Sequence, residues 1–159
     1  HTGYITSIFD KTSGKEQLSG LGAVPVVMDE YGFDTWAHAQ TYWNKQVGQF
    51  MDAEIVTLEN GPVRATVKVV SRYNDSTLTQ YFSLEPGSDK LSVRAHADWH
   101  EKYKMLKLAF GTAVEDGEAV YAIAGGSIRK PCDGCEEPAQ NWAAVENGKI
   151  SATRCFSRT

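Results

Sequence analysis

A chain of 159 residues, 42% hydrophobic and 23% charged, has the make-up of an ordinary folded domain, which excludes disordered, fibrous and disulfide-scaffold classes. Its net charge of -4 is spread over mixed signs without a basic cluster, so the attraction behind most nucleic-acid affinity is missing and no nucleic-acid partner is expected. No apolar run approaches the roughly 20 residues that cross a bilayer, and no membrane partner is expected either.

The opening His1-Thr2-Gly3-Tyr4 has neither the charged n-region nor the apolar h-region of a signal peptide. A fragment would have lost such a leader, so the compartment stays open, with the cytoplasm favoured. One domain over residues 1–159 is expected, a piece of a larger protein.

Tyr4 to Phe9 and Ala23 to Met28 read as the first strands. Asp29 to Phe50 resists that reading, being polar and aromatic-containing, and long loops on a compact scaffold are commonly functional. Within it Asp34-Thr35-Trp36-Ala37-His38, followed by Trp43, Asn44 and Gln46, collects the groups that sugar recognition needs. An indole covers the apolar face of a pyranose while carboxylate, imidazole and amide groups bond its hydroxyls. The competing reading makes Trp36 and Trp43 core aromatics and Asp34 a turn cap.

From Glu54 onward strands alternate with turns, as in an antiparallel sandwich. A strand through Val56 and Leu58 leads into Glu59-Asn60-Gly61-Pro62, where Asn and Gly tolerate positive φ and Pro fixes its own. Val63, Ala65, Val67 and Val69 then fall on one face, with Arg64, Thr66, Lys68 and Arg72 on the other. Asn74-Asp75 breaks the run, and Leu78, Phe82 and Leu84 resume it as the second arm of a hairpin. After the turn at Glu85-Pro86-Gly87-Ser88, Leu91, Val93, Ala95, Ala97 and Trp99 alternate with Ser92, Arg94, His96 and Asp98, which predicts a half-buried strand. Met105 to Phe110 follows, with Leu106, Leu108 and Phe110 expected inward. Shorter strands are expected at Ala119 to Ile123 and near Ile150 to Cys155, separated by a second long loop at Arg129 to Trp142. No long 3.6-residue period occurs, so helix content should be small.

Several clusters invite a chemical reading. Asp98-Trp99-His100-Glu101-Lys102 offers carboxylates and a histidine, but a zinc protease motif needs a second histidine where Lys104 stands. A strand end with a salt-bridged polar face is the better reading. Glu136 and Glu137 are neighbours on one loop and do not straddle a sugar as glycosidase carboxylates do. Cys132-Asp133-Gly134-Cys135 has C-x-x-C spacing, yet zinc needs two further ligands and only Cys155 remains, so a glycine-containing turn is preferred. Asn74-Asp75-Ser76 matches a glycosylation sequon and reads as a turn.

The ordered series of segments resembles family 38 α-mannosidases. The matching pieces are Ile5-Thr6-Ser7-Ile8-Phe9-Asp10-Lys11 with Ser13-Gly14-Lys15-Glu16, then Asp34 to His38, then Val47-Gly48-Gln49-Phe50. Glu59 to Ala65, Asp98-Trp99-His100-Glu101 and Leu106-Lys107-Leu108-Ala109-Phe110 follow in the family's order. The resemblance implies an all-β, antiparallel two-sheet super-sandwich like that of galactose mutarotases, belonging to a retaining, metal-dependent exo-glycosidase that releases terminal α-mannose. The nucleophile and the metal ligands, zinc being the implied ion, would lie upstream in a catalytic domain, so no catalytic residue, metal ligand or cofactor is expected in this chain. Its partners would be that catalytic domain and a mannose-containing carbohydrate. Asp34, Trp36 and His38 would line the substrate and orient it rather than break bonds. The resemblance also implies further β structure after Arg158-Thr159, and edges left exposed there would favour self-association. An autonomous carbohydrate-binding module is the alternative, and a purely structural domain using Trp36, Trp43 and Trp142 at an interface is a third.

Overall fold

The alternation from Met51 to Asp98 becomes four strands paired in sequence order. The computed structural model describes residues 1–32, 42–148 and, for the backbone alone, 151–156. Strand β1 (Phe9–Asp10) pairs β2 (Lys15–Glu16) in a small hairpin. Strands β3 (Val24–Asp29), β4 (Gln46–Gln49) and β9 (Lys104–Ala109) form a three-stranded sheet with β3 in the middle. Strands β5 (Met51–Asn60), β6 (Ala65–Tyr73), β7 (Ser76–Leu84) and β8 (Ser92–Asp98) form a four-stranded meander. Strands β10 (Glu118–Ile123), β11 (Gly126–Lys130), β12 (Trp142–Glu146) and β13 (Ser151–Phe156) form a second four-stranded sheet in the order β11-β10-β12-β13. Every pairing is antiparallel and no helix occurs among the described residues, so the chain belongs to the all-β class.

Two compact units share the chain. The first is assembled from His1–Ile5, Ala23–Tyr31 and Lys45–Ala109, and holds β3 to β9. In it Val27 of β3, Phe50 and Leu78 of β7 are completely or almost completely buried, and Tyr73, Trp99 and Leu106 pack around them. Phe50 is the hinge of this core, lying 5.9 Å from the Tyr73 ring and 6.3 Å from Trp99. Two sheets meeting over such a core make the sandwich arrangement that alternating strands require. The backbone also approaches closely at Gly3, whose φ is +74 and whose missing Cβ leaves room for Val69 and Ala53.

The second unit contains β1, β2 and β10 to β13. Among its described residues the buried apolar ones are Leu18, Ala119, Val120, Ala122 and Ala144. Three of the five are alanines, and one of them, Ala144 of β12, pairs with Val120 of β10.

The β6–β7 and β7–β8 turns behave as their residues dictate, whereas neither Asn60 nor Gly61 takes a positive φ between β5 and β6. Asn74 takes φ +48 between β6 and β7, and Gly87 takes φ +74 after Pro86, with Ser88 N–H donating to Glu85 O at 3.1 Å. Four expectations need correction. The strand expected over Tyr4 to Phe9 shrinks to β1, and the Tyr4 hydroxyl donates to Phe50 O at 2.6 Å. The second long loop is shorter than expected, since β11 runs to Lys130 through Gly125-Gly126 without a strong apolar alternation. Leu108 is 39% exposed rather than inward. All seven residues of β8 are exposed: the strand forms in register, but it is the edge of its sheet, and little covers Val93, Ala95 and Ala97.

Candidate functional site

Asp34, Trp36 and His38 lie in residues 33–41, outside the described residues. What the structure describes is how the backbone on either side of that segment is held. β3 ends at Asp29 and β4 begins just after Lys45. Asp29 N–H donates to Lys45 O at 2.8 Å, and Lys45 Nζ returns to Asp29 Oδ2 at 2.7 Å. Lys104, the first residue of β9 and the register partner of Asp29, donates to Oδ1 at 3.3 Å. The hydrogen bond from Lys45, joined by that from Lys104 and opposed by partial desolvation, holds the Asp29 carboxyl at about 2. It is an ionised clamp, not a proton donor.

Beside the clamp, Glu30 N–H donates to Tyr103 O at 2.9 Å, and the Tyr31 and Tyr103 rings meet edge to face at 5.4 Å. Both rings are exposed. Tyr103 has φ +54, a left-handed conformation that a bulky side chain adopts only when its surroundings impose it. The arrangement fixes where the aromatic segment leaves and rejoins the sheet, and offers two lysine ammonium groups and two phenol edges there.

The Asp98–Glu101 run is a strand end, as its spacing indicates. His100 Nε2 stands 3.1 Å from Asp98 Oδ1 with both side chains more than half exposed. Glu101 turns the other way and ties the β6–β7 turn down, accepting from Asn74 Nδ2 at 3.1 Å and from Ser76 Oγ at 3.4 Å. The buried Ser76 hydroxyl in turn accepts from His100 N–H at 2.9 Å. Trp99 points between them into the core beside Phe50.

In the second unit, Cys132 and Cys135 are exposed thiols on a turn in which Gly134 takes φ +86 and Asp133 Oδ1 accepts from Cys135 N–H at 3.0 Å. Glu137 is held by Lys130 at 3.1 Å, with both side chains less than a fifth exposed, so it is a structural ion pair rather than a free acid. No group of three or more His, Cys, Asp or Glu side chains converges among the described residues.

Sequence reasoning overlooked Asp29, Lys45 and Lys104. Asp29 and Lys104 are 75 residues apart, and only strand pairing brings them together. A weak signal existed at Asp29, where a charged residue closes an apolar strand.

Among known families, the model of the glycosyl hydrolases family 38 C-terminal domain matches residues 1–153. No curated protein matches the chain.

Proposed function

Since this chain belongs to the glycosyl hydrolases family 38 C-terminal domain family, we propose that it is the non-catalytic β part of a retaining, metal-dependent α-mannosidase. The observation that carries the reading is the family match over nearly the whole chain. In this reading the bond-breaking carboxylates and the zinc belong to a catalytic domain elsewhere in the parent protein. The present chain contributes Asp34, Trp36 and His38 to the wall of a pocket for a terminal α-mannose. The division of labour is physically reasonable, because orienting groups act through proximity and need no shifted pKa of their own. The Asp29–Lys45 clamp supports it by fixing both ends of the segment that carries those three residues.

The test is to combine the chain with the catalytic part of its parent and follow hydrolysis of 4-nitrophenyl α-D-mannopyranoside. Activity should require both, and Asp34→Ala or Trp36→Ala should lower it by roughly tenfold or more while association persists. Mannose binding by the chain alone, with no contribution to hydrolysis, would replace this reading with an autonomous carbohydrate-binding module.

A further inference from the structure

The polar face of the β5–β8 sheet carries, at its turn end, a groove of about 410 Å³, within the size range of small-ligand sites. Register explains its lining. Glu59 lies opposite Thr66, Thr66 opposite Ser83 and Ser83 opposite Ser92, so one row of hydrogen-bonding side chains crosses all four strands. Tyr81 and Arg94 are opposite each other in the next row on the same face.

The row has a direction. Arg64 grips Glu59 with two donors, Nε at 2.6 Å and Nη2 at 2.8 Å. This grip, helped by Thr66, holds the Glu59 carboxyl at about 2. An ionised carboxylate only accepts, so the Thr66 hydroxyl, 2.8 Å from Glu59 Oε2, must donate to it. Thr66 is 7% exposed, and its one remaining contact here is Ser83 Oγ at 3.0 Å. Having given its proton to Glu59, Thr66 accepts from Ser83. Ser83 therefore spends its only proton inward and presents lone pairs to the groove.

Arg94 supplies the complement. Its guanidinium carbon lies over the Tyr81 ring, 4.4 Å from the centroid, and the group forms no ion pair among the described residues. An acceptor and a fork of donors thus face the same space, the pattern that matches a hydroxyl group, which both donates and accepts. The charges of the lining balance, Glu59 and Glu85 against Arg64 and Arg94. An anion would meet two carboxylates and a cation two guanidiniums, while an apolar ligand would strip water from all of them.

We propose that this groove binds a neutral polyhydroxy ligand, a hexopyranose unit of a glycan, through Ser83 and the Arg94 fork. The identity of the sugar rests on the family reading above; the site itself uses none of residues 33–41. Backbone amide NMR of the 159-residue chain titrated with methyl α-D-mannopyranoside tests it. Saturable shifts are expected at residues 81–85 and 92–94, weakened about tenfold or more in Arg94→Ala and in Ser83→Ala. Arg94→Lys should also fail, because an ammonium lacks the fork, and Arg72→Ala should bind normally. Absence of saturable shifts, shifts elsewhere that ignore Arg94→Ala, or the same amides responding to inorganic phosphate but not to the mannoside would each overturn the proposal. Because the readout is binding by this chain alone, loss of the groove and failure of the hydrolysis experiment are separate results.

Discussion

A Cβ placed on Gly48 would overlap Cε2 of Tyr73, so the β4 backbone lies directly against the ring of a residue in the neighbouring sheet. That contact sets how closely the three-stranded and four-stranded sheets of the first unit approach, because the same ring packs on Phe50. Gly48 has no positive φ, and its requirement is purely steric.

Gly48→Ala should consequently destabilise the chain by about 1 to 3 kcal/mol, the usual range for overpacking. Urea unfolding followed by circular dichroism measures it. Tyr73→Leu in the same chain should recover part of the loss, whereas a Gly48→Ala variant as stable as the wild type would mean that the sheets have room to move.

Gln80 is 2% exposed on the inner face of β7, and its Nε2 has no hydrogen-bond partner among the described residues. Burying such a donor unpaired is unfavourable by about 1 to 3 kcal/mol, so Gln80→Met, which keeps the volume, should raise stability by about 1 kcal/mol. A lower melting temperature in the variant would show that the amide is satisfied after all.

Asp29 gives a prediction in acid. Its folded carboxyl is held near 2, below the ordinary 3.8, chiefly by Lys45. A depressed folded pKa contributes stability that is complete above the unfolded value and disappears as pH falls through the folded one. The stability gap between wild type and Asp29→Asn should therefore be constant above about pH 5 and close between about pH 4 and pH 2. Urea titrations at stepped pH would reveal it, and a gap that widens on acidification would contradict the clamp.

Strands β5 to β9 could be read in advance because alternation and turn chemistry are local: Val67 and Val69 on one face, Asn74 and Gly87 at positive φ, need nothing beyond their neighbours in the chain. Strand β11 escaped because a five-residue segment beginning Gly126-Ser127 has little pattern to detect, and it pairs only because β10 lies beside it.

Sequence by itself determined the all-β class, the hairpin order from β5 to β8 and the family, since each rests on short-range periodicity or on ordered motifs. Tertiary structure alone decided that Thr66, on a face patterned as polar, is buried in a one-way hydrogen-bond row, and that Ala95 and Ala97, patterned as core, stay exposed. Burial depends on what a second sheet covers, and proximity of Asp29 to Lys104 depends on register across the fold; neither is written in the spacing of adjacent residues.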